Sequence, residues 1–155
     1  QTFKADTSLD ANAKSVAELV KKSGAKSWNQ LQNKVRNDET LYKDFLTAVG
    51  VNKDTAEKYV YQVSYTFVSS DPTTDIATKP DIAREQIEML MDSPITLSAP
   101  ESVKVYPEWD EAKENWYGDV DDTKLDSTIY MGTAELQIDN QKYLVAVFRT
   151  AVKSK

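Results

Sequence analysis

Between Glu108 and Asp126 eight carboxylates, those of Glu108, Asp110, Glu111, Glu114, Asp119, Asp121, Asp122 and Asp126, stand against only Lys113 and Lys124. Eight acids against two lysines leave −6, the net charge of the whole 155-residue chain. Trp109 and Trp116, two of the three tryptophans, lie in the same stretch beside Tyr106 and Tyr117. Carboxylates at this density repel one another, and a positive partner relieves the repulsion. Flat rings among them offer area that can be desolvated on contact. Three kinds of chemistry fit these residue types: docking of a cationic protein surface, stacking or hydrolysis of a sugar, and ligation of calcium. Against all three stands a plain alternative, a solvated loop whose tryptophans dip into the core.

The calcium reading places Asp119, Asp121 and Thr123 at the first, third and fifth positions of an EF-hand-like loop. Lys124 then stands where the sharp turn needs glycine, and Tyr130 where a bidentate glutamate is required, so the EF-hand match fails and only a looser calcium site remains open. Glycoside chemistry needs two carboxylates about 5 to 10 Å apart. Glu108, Glu114 and Asp119 beside Trp109 and Trp116 supply the groups, but a sequence contains no distance between them.

Histidine and cysteine are both absent, which removes zinc fingers, thiol nucleophiles, Ser-His-Asp triads and disulfide frameworks. Ser23-Gly24-Ala25-Lys26 has the S-x-x-K spacing of penicillin-recognising enzymes but lacks their S-D-N and K-T-G partners, so it reads as a helix end. Four glycines, at 24, 50, 118 and 132, form no phosphate-cradling loop. Residues 1 to 36 carry a diffuse excess of base, too weak against the overall −6 to suggest nucleic acid. No apolar run approaches the roughly 18 residues that span a bilayer. The start at Gln1 rather than Met leads us to expect an exported protein, periplasmic or extracellular.

Helical periodicity organises the first half. Asp10 is placed to cap a helix through Val16, Leu19 and Val20 that stops at Gly24; Ser27 opens a second with Trp28, Leu31 and Val35; Asp38 opens a third that ends at Gly50. Asp54 and Glu57 have capping-box spacing, and a helical face could continue through Val60, Val63 and Phe67. Tyr59, Tyr61, Val63, Tyr65 and Phe67 also alternate with polar residues, which favours a short turn feeding a strand from 59 to 68. These tyrosines read as strand packing in preference to a ligand-facing row. A helix is expected over 80 to 92, with Asp81, Glu85, Glu88 and Asp92 as a solvated acidic stripe.

Beyond Pro94 the period changes to two. Ile95 to Ala99 and Val103 to Tyr106 are short strand candidates; Thr128 to Ile138 and Lys142 to Val152 are long ones joined at Asp139-Asn140. Leu144 to Phe148 is continuously apolar, which puts that strand at the sheet centre. The expected fold is α+β in one domain, residues 1 to 155, with N-terminal short helices packed on a small C-terminal antiparallel sheet containing a long hairpin.

The expected role is binding without catalysis, of inhibitor, immunity or adhesion type, with a cationic protein surface as partner and no resident metal or cofactor. The expected contact residues are Glu108, Trp109, Asp110, Glu111, Glu114, Trp116, Tyr117, Asp119, Asp121 and Asp122. A glycan-binding or glycan-hydrolysing module using the same segment is the alternative.

Overall fold

In the computed structural model, which describes residues 1–75, 84–106 and 118–153, each N-terminal helix starts and stops on its own side chains. Helix α1 (Asp10–Ser23) ends at Gly24, whose φ of 73° returns its amide to the Lys21 carbonyl, a conformation that a side chain would strain. The Ser27 hydroxyl accepts from Gln30 N to open α2 (Trp28–Asn37), and the Asp38 carboxylate accepts from Leu41 N to open α3 (Glu39–Val49). The one-turn α4 (Lys53–Ala56) has a capping box, formed by Asn52 and Thr55 rather than by Asp54 and Glu57. The chain then runs straight into β2 (Tyr59–Ser69), so the alternating pattern prevails over the helical one.

With β1 (Thr2–Ala5), β3 (Ile95–Ser98), β4 (Leu125–Ile138) and β5 (Gln141–Val152), β2 forms a five-stranded sheet in the order β1-β4-β5-β2-β3. The α+β class is as expected, with one correction. The sheet is mixed, because β1 lies parallel to β4 with Phe3 opposite Ile129, whereas the other ladders are antiparallel. Four residues are too few for a period-two pattern to declare a strand. The long hairpin turns at Asp139-Asn140, with Asp139 at a φ of 55°. Val145, Ala146, Val147 and Phe148 in β5 are wholly buried, as a central strand covered on both faces must be. Val103 to Tyr106 is not a strand: a 3-10 turn (Glu101–Val103) leads into a single bridge between Lys104 and Val120.

One sheet face packs against α1, α2 and α3, whose Val16, Val20, Leu31 and Phe45 meet Tyr61, Val63, Val145 and Val147. The tyrosine row is thus core, as its alternation implied. Asp10 does not cap α1. Its carboxylate instead accepts from Thr133 N at 2.9 Å, just past the point where β1 stops pairing with β4. Beside it, Gly132 lets the Leu9 backbone lie directly on β4.

The opposite face is covered in two parts. Helix α5 (Arg84–Leu90) and Phe3 cover Ile129, Met131, Leu144 and Phe148; the chain around Ala99, Val103 and Leu125 covers Val60. The start of the helix expected over 80 to 92 lies outside the described residues. No helix among the described residues is long and apolar enough to cross a membrane.

Candidate functional site

The acidic segment leaves and rejoins the fold at one place. Val105 N donates to Asp119 O at 2.9 Å, and Asp121 N donates to Val103 O at 2.8 Å, on either side of the Lys104–Val120 bridge. The chain entering the segment and the chain leaving it are therefore held side by side. Val103 and Val120 anchor this clasp by packing with Val60, Ala99 and Leu125 against the sheet. Glu108, Trp109, Asp110, Glu111, Glu114, Trp116 and Tyr117 lie outside the described residues; of the expected contact residues, Asp119, Asp121 and Asp122 are described.

A cavity of about 570 Å³ opens between the clasp and the end of α5, within the size range of small-ligand and side-chain sites. Its floor is the polar part of the second sheet face: Gln62 from β2, Thr96 from β3 and Thr150 from β5, with Leu125 and Ile129. Gln62 Nε2 donates to Thr96 Oγ1 at 3.1 Å, which fixes the carboxamide across the two strands. Gly118, Asp119, Val120 and Asp122 form one wall, and Asp92, Ser93 and Pro94 form the other. Past the β3 edge the opening reaches Arg36 and Tyr42, whose hydroxyl donates to Leu97 O.

Asp92, Asp119 and Asp122 are exposed, and among the described residues none of them forms an ion pair. The cavity thus carries three exposed carboxylates above a floor of hydroxyl and amide groups, with the Arg36 guanidinium at its far opening, an arrangement suited to an ammonium or guanidinium group with hydrogen-bonding neighbours. Asp92 was expected on a solvated helical stripe with Glu85 and Glu88; it is exposed, but it lies past α5, which ends at Leu90. Glu85 and Glu88 are exposed, with Glu88 paired to Arg84, but α5 ends so that Asp92 turns toward the cavity. Asp81 lies outside the described residues.

Asp121 has a different task from its neighbours. Its Oδ1 accepts from Thr123 N at 3.1 Å and from Thr123 Oγ1 at 2.6 Å. The side-chain and backbone hydrogen bonds from Thr123, in that order of size, hold its pKa below the ordinary aspartate value. The same clip recurs at Asp71 with Thr73 and at Asp6 with Ser8. Asp121-x-Thr123 is therefore a turn former, the third of its kind among the described residues, and not half of a calcium loop. Among the described residues no cluster of three or more acidic side chains could hold a metal ion.

Gln62, Thr96, Thr150 and Asp92 escaped the sequence reading. A signal for the floor was present: Gln62, Ser64 and Thr66 alternate with the core tyrosines, and a polar face on a strand next to the sheet centre marks a lined hollow as readily as open solvent. Compared with known proteins, the chain matches no family model, no curated protein and no solved structure.

Proposed function

We propose that this protein is a binding domain, of inhibitor, immunity or adhesion type, that takes a cationic protein partner at the acidic segment and the cavity beside it. The observation that carries the reading is that Asp119 and Asp122 from the clasp and Asp92 from the far wall line one 570 Å³ cavity. A lysine or arginine of the partner would enter this cavity. The partner's flanking surface would meet the acids and rings at 108 to 117, which supply steering and desolvated contact area.

A polar floor of Gln62, Thr96 and Thr150 also suits hydroxyl-rich ligands, which keeps glycan binding as a second reading.

The deciding experiment captures partners with the intact domain and with a variant carrying Asp92→Asn, Asp119→Asn and Asp122→Asn, then titrates each captured partner in a salt series. The proposal expects a basic partner, lost by the variant, with affinity falling steeply as ionic strength rises, because exposed charges are screened. Unchanged capture by the variant would overturn it. Salt-insensitive binding of oligosaccharides that shifts Gln62 and Thr150 would establish the glycan reading instead.

A further inference from the structure

Trp28, Tyr65, Tyr143 and Phe67 form a row of rings in which each stands nearly perpendicular to the next, with centroids 5.0, 5.2 and 5.8 Å apart. The row starts at the first residue of α2 and continues on β2 and β5. Trp28 Nε1 donates to Ser93 O at 2.9 Å, which ties this end of the row to the chain just past α5. Rings propped in this way have little freedom left to lose when a ligand stacks on them.

These rings line a second hollow, of about 350 Å³, a size typical of small-ligand sites. Side chains alternate along a strand, so Ser64 and Thr66 point away from the rings of Tyr65 and Phe67 and lie about 7 Å apart along β2. Both line the same hollow although they are only 4% and 7% exposed. It therefore has rings on one side and hydroxyls on the other. Among the described residues neither hydroxyl has a hydrogen-bond partner. A buried hydroxyl is costly to leave unpaired, so water or a ligand must supply what the protein does not. Phe67 and Met89, about half exposed, and Asp92, exposed, mark the mouth.

We propose that this hollow binds a single sugar ring, one C–H face stacked on the aromatic row and its hydroxyls meeting Ser64, Thr66 and Asp92. The two unlike walls select that occupant. A sugar ring is apolar on its C–H faces and carries donors and acceptors around its rim; aromatic side chains match the first, and hydroxyls with a carboxylate match the second. A quaternary ammonium would be drawn to the rings and to Asp92 but would leave both buried hydroxyls unpaired. A wholly apolar ligand would do the same. Of the residues described, the hollow shares only Asp92 and Ser93 with the acidic cavity, and the inference does not rest on the cationic reading above.

The test titrates the full chain with the methyl glycosides of glucose, galactose, mannose and N-acetylglucosamine, followed by amide NMR and by the Trp28 indole signal. At least one glycoside is expected to give saturable shifts at 64 to 67 and at Trp28 Nε1, with an affinity that salt leaves unchanged because no ion pair forms. Ser64→Ala and Thr66→Val each remove one hydroxyl that has no partner in the protein. Each is expected to weaken binding about tenfold while leaving the Tm unchanged or raised. Phe67→Ala, at a half-exposed ring, should weaken it as well. No saturable shift with any of the four at about 100 mM would overturn the proposal, and so would hydroxyl variants that bind as tightly as the unaltered protein. Shifts from tetramethylammonium that no glycoside reproduces would assign the rings to a cation and overturn it. Sugar shifts confined to Gln62, Thr150 and 118–122 would move the sugar to the acidic cavity, overturning this site while supporting the glycan reading above.

Discussion

Gly132 faces the backbone of Leu9 so closely that a methyl group on it would overlap the Leu9 carbonyl carbon, carbonyl oxygen and Cβ. The contact sets the distance between the start of α1 and β4, and neither neighbour is the end of a flexible side chain. Gly132→Ala is therefore expected to cost about 3 kcal/mol. For a domain of this size that is about 6 °C or more in Tm, read by thermal unfolding. An unchanged Tm would mean that the helix layer can slide on the sheet.

Tyr65 stands edge-on to Trp28 and Tyr143, with ring centroids 5.0 and 5.2 Å away, and its hydroxyl is buried without a hydrogen-bond partner. Removing the oxygen relieves an unsatisfied group and leaves the ring packing intact, so Tyr65→Phe should be neutral or stabilise by about 1 kcal/mol. Chemical denaturation measures the difference.

The same burial, with Tyr143 adding to it, pushes the Tyr65 pKa up from 10.0 to about 12. Between those values the unfolded chain loses the proton and the folded one keeps it, so stability is full below pH 10 and declines as pH rises toward 12. The Phe variant should lose this part of the alkaline decline. A phenolate signal for Tyr65 titrating near 10 in the folded protein would contradict its burial.

Asp119 and Asp122 are exposed, whereas Asp121 is clipped to Thr123. Replacing Asp119 and Asp122 with Asn is expected to leave the Tm unchanged or slightly raised, since it removes repulsion and no hydrogen bond. Asp121→Ala should lower the Tm, because it removes the side-chain cap of the turn at 122–124. Because the folded pKa of Asp121 is depressed, its contribution is present above the ordinary aspartate range and fades as pH falls through the folded value. Equal effects of the three substitutions would show that the clip has no structural weight.

Chelator should leave the unfolding curve where it is, because the Asp121 oxygen that a calcium loop would use is already taken by Thr123. A fall in Tm on adding chelator would return calcium to consideration at Asp119 and Asp122.

Local signals were well legible. The stops at Gly24 and Gly50, the caps at Ser27 and Asp38, and the turn at Asp139-Asn140 are decided by a few neighbouring atoms, and neighbouring atoms are what a sequence lists. Long-range pairing was not. Asp10 looks like a cap because Ser, Thr, Asp and Asn favour helix starts, yet its carboxylate is spent on Thr133, 123 positions away. The cavity was missed for the same reason: Gln62, Asp92, Asp119 and Thr150 come from four separate stretches, and only the strand order makes them neighbours.

That strand order also constrains when the chain can fold. Asp6 N donates to Met131 O, Asp6 pairs with Arg149, and the Gly132 notch receives Leu9, so the first ten residues find all these partners in the last thirty. On a ribosome those ten residues emerge early and wait, with no surface to join, until β4 and β5 exist. Closure over such a span is entropically costly and slow compared with helix formation. The helices can assemble as the chain grows, but β1 cannot join the sheet before β4 exists, and β2 cannot pair before β5 does. Until β1 joins, the flank of β4 stands open, and the interval between synthesis of α3 and completion of β5 is when the molecule is most exposed to pairing with a neighbour.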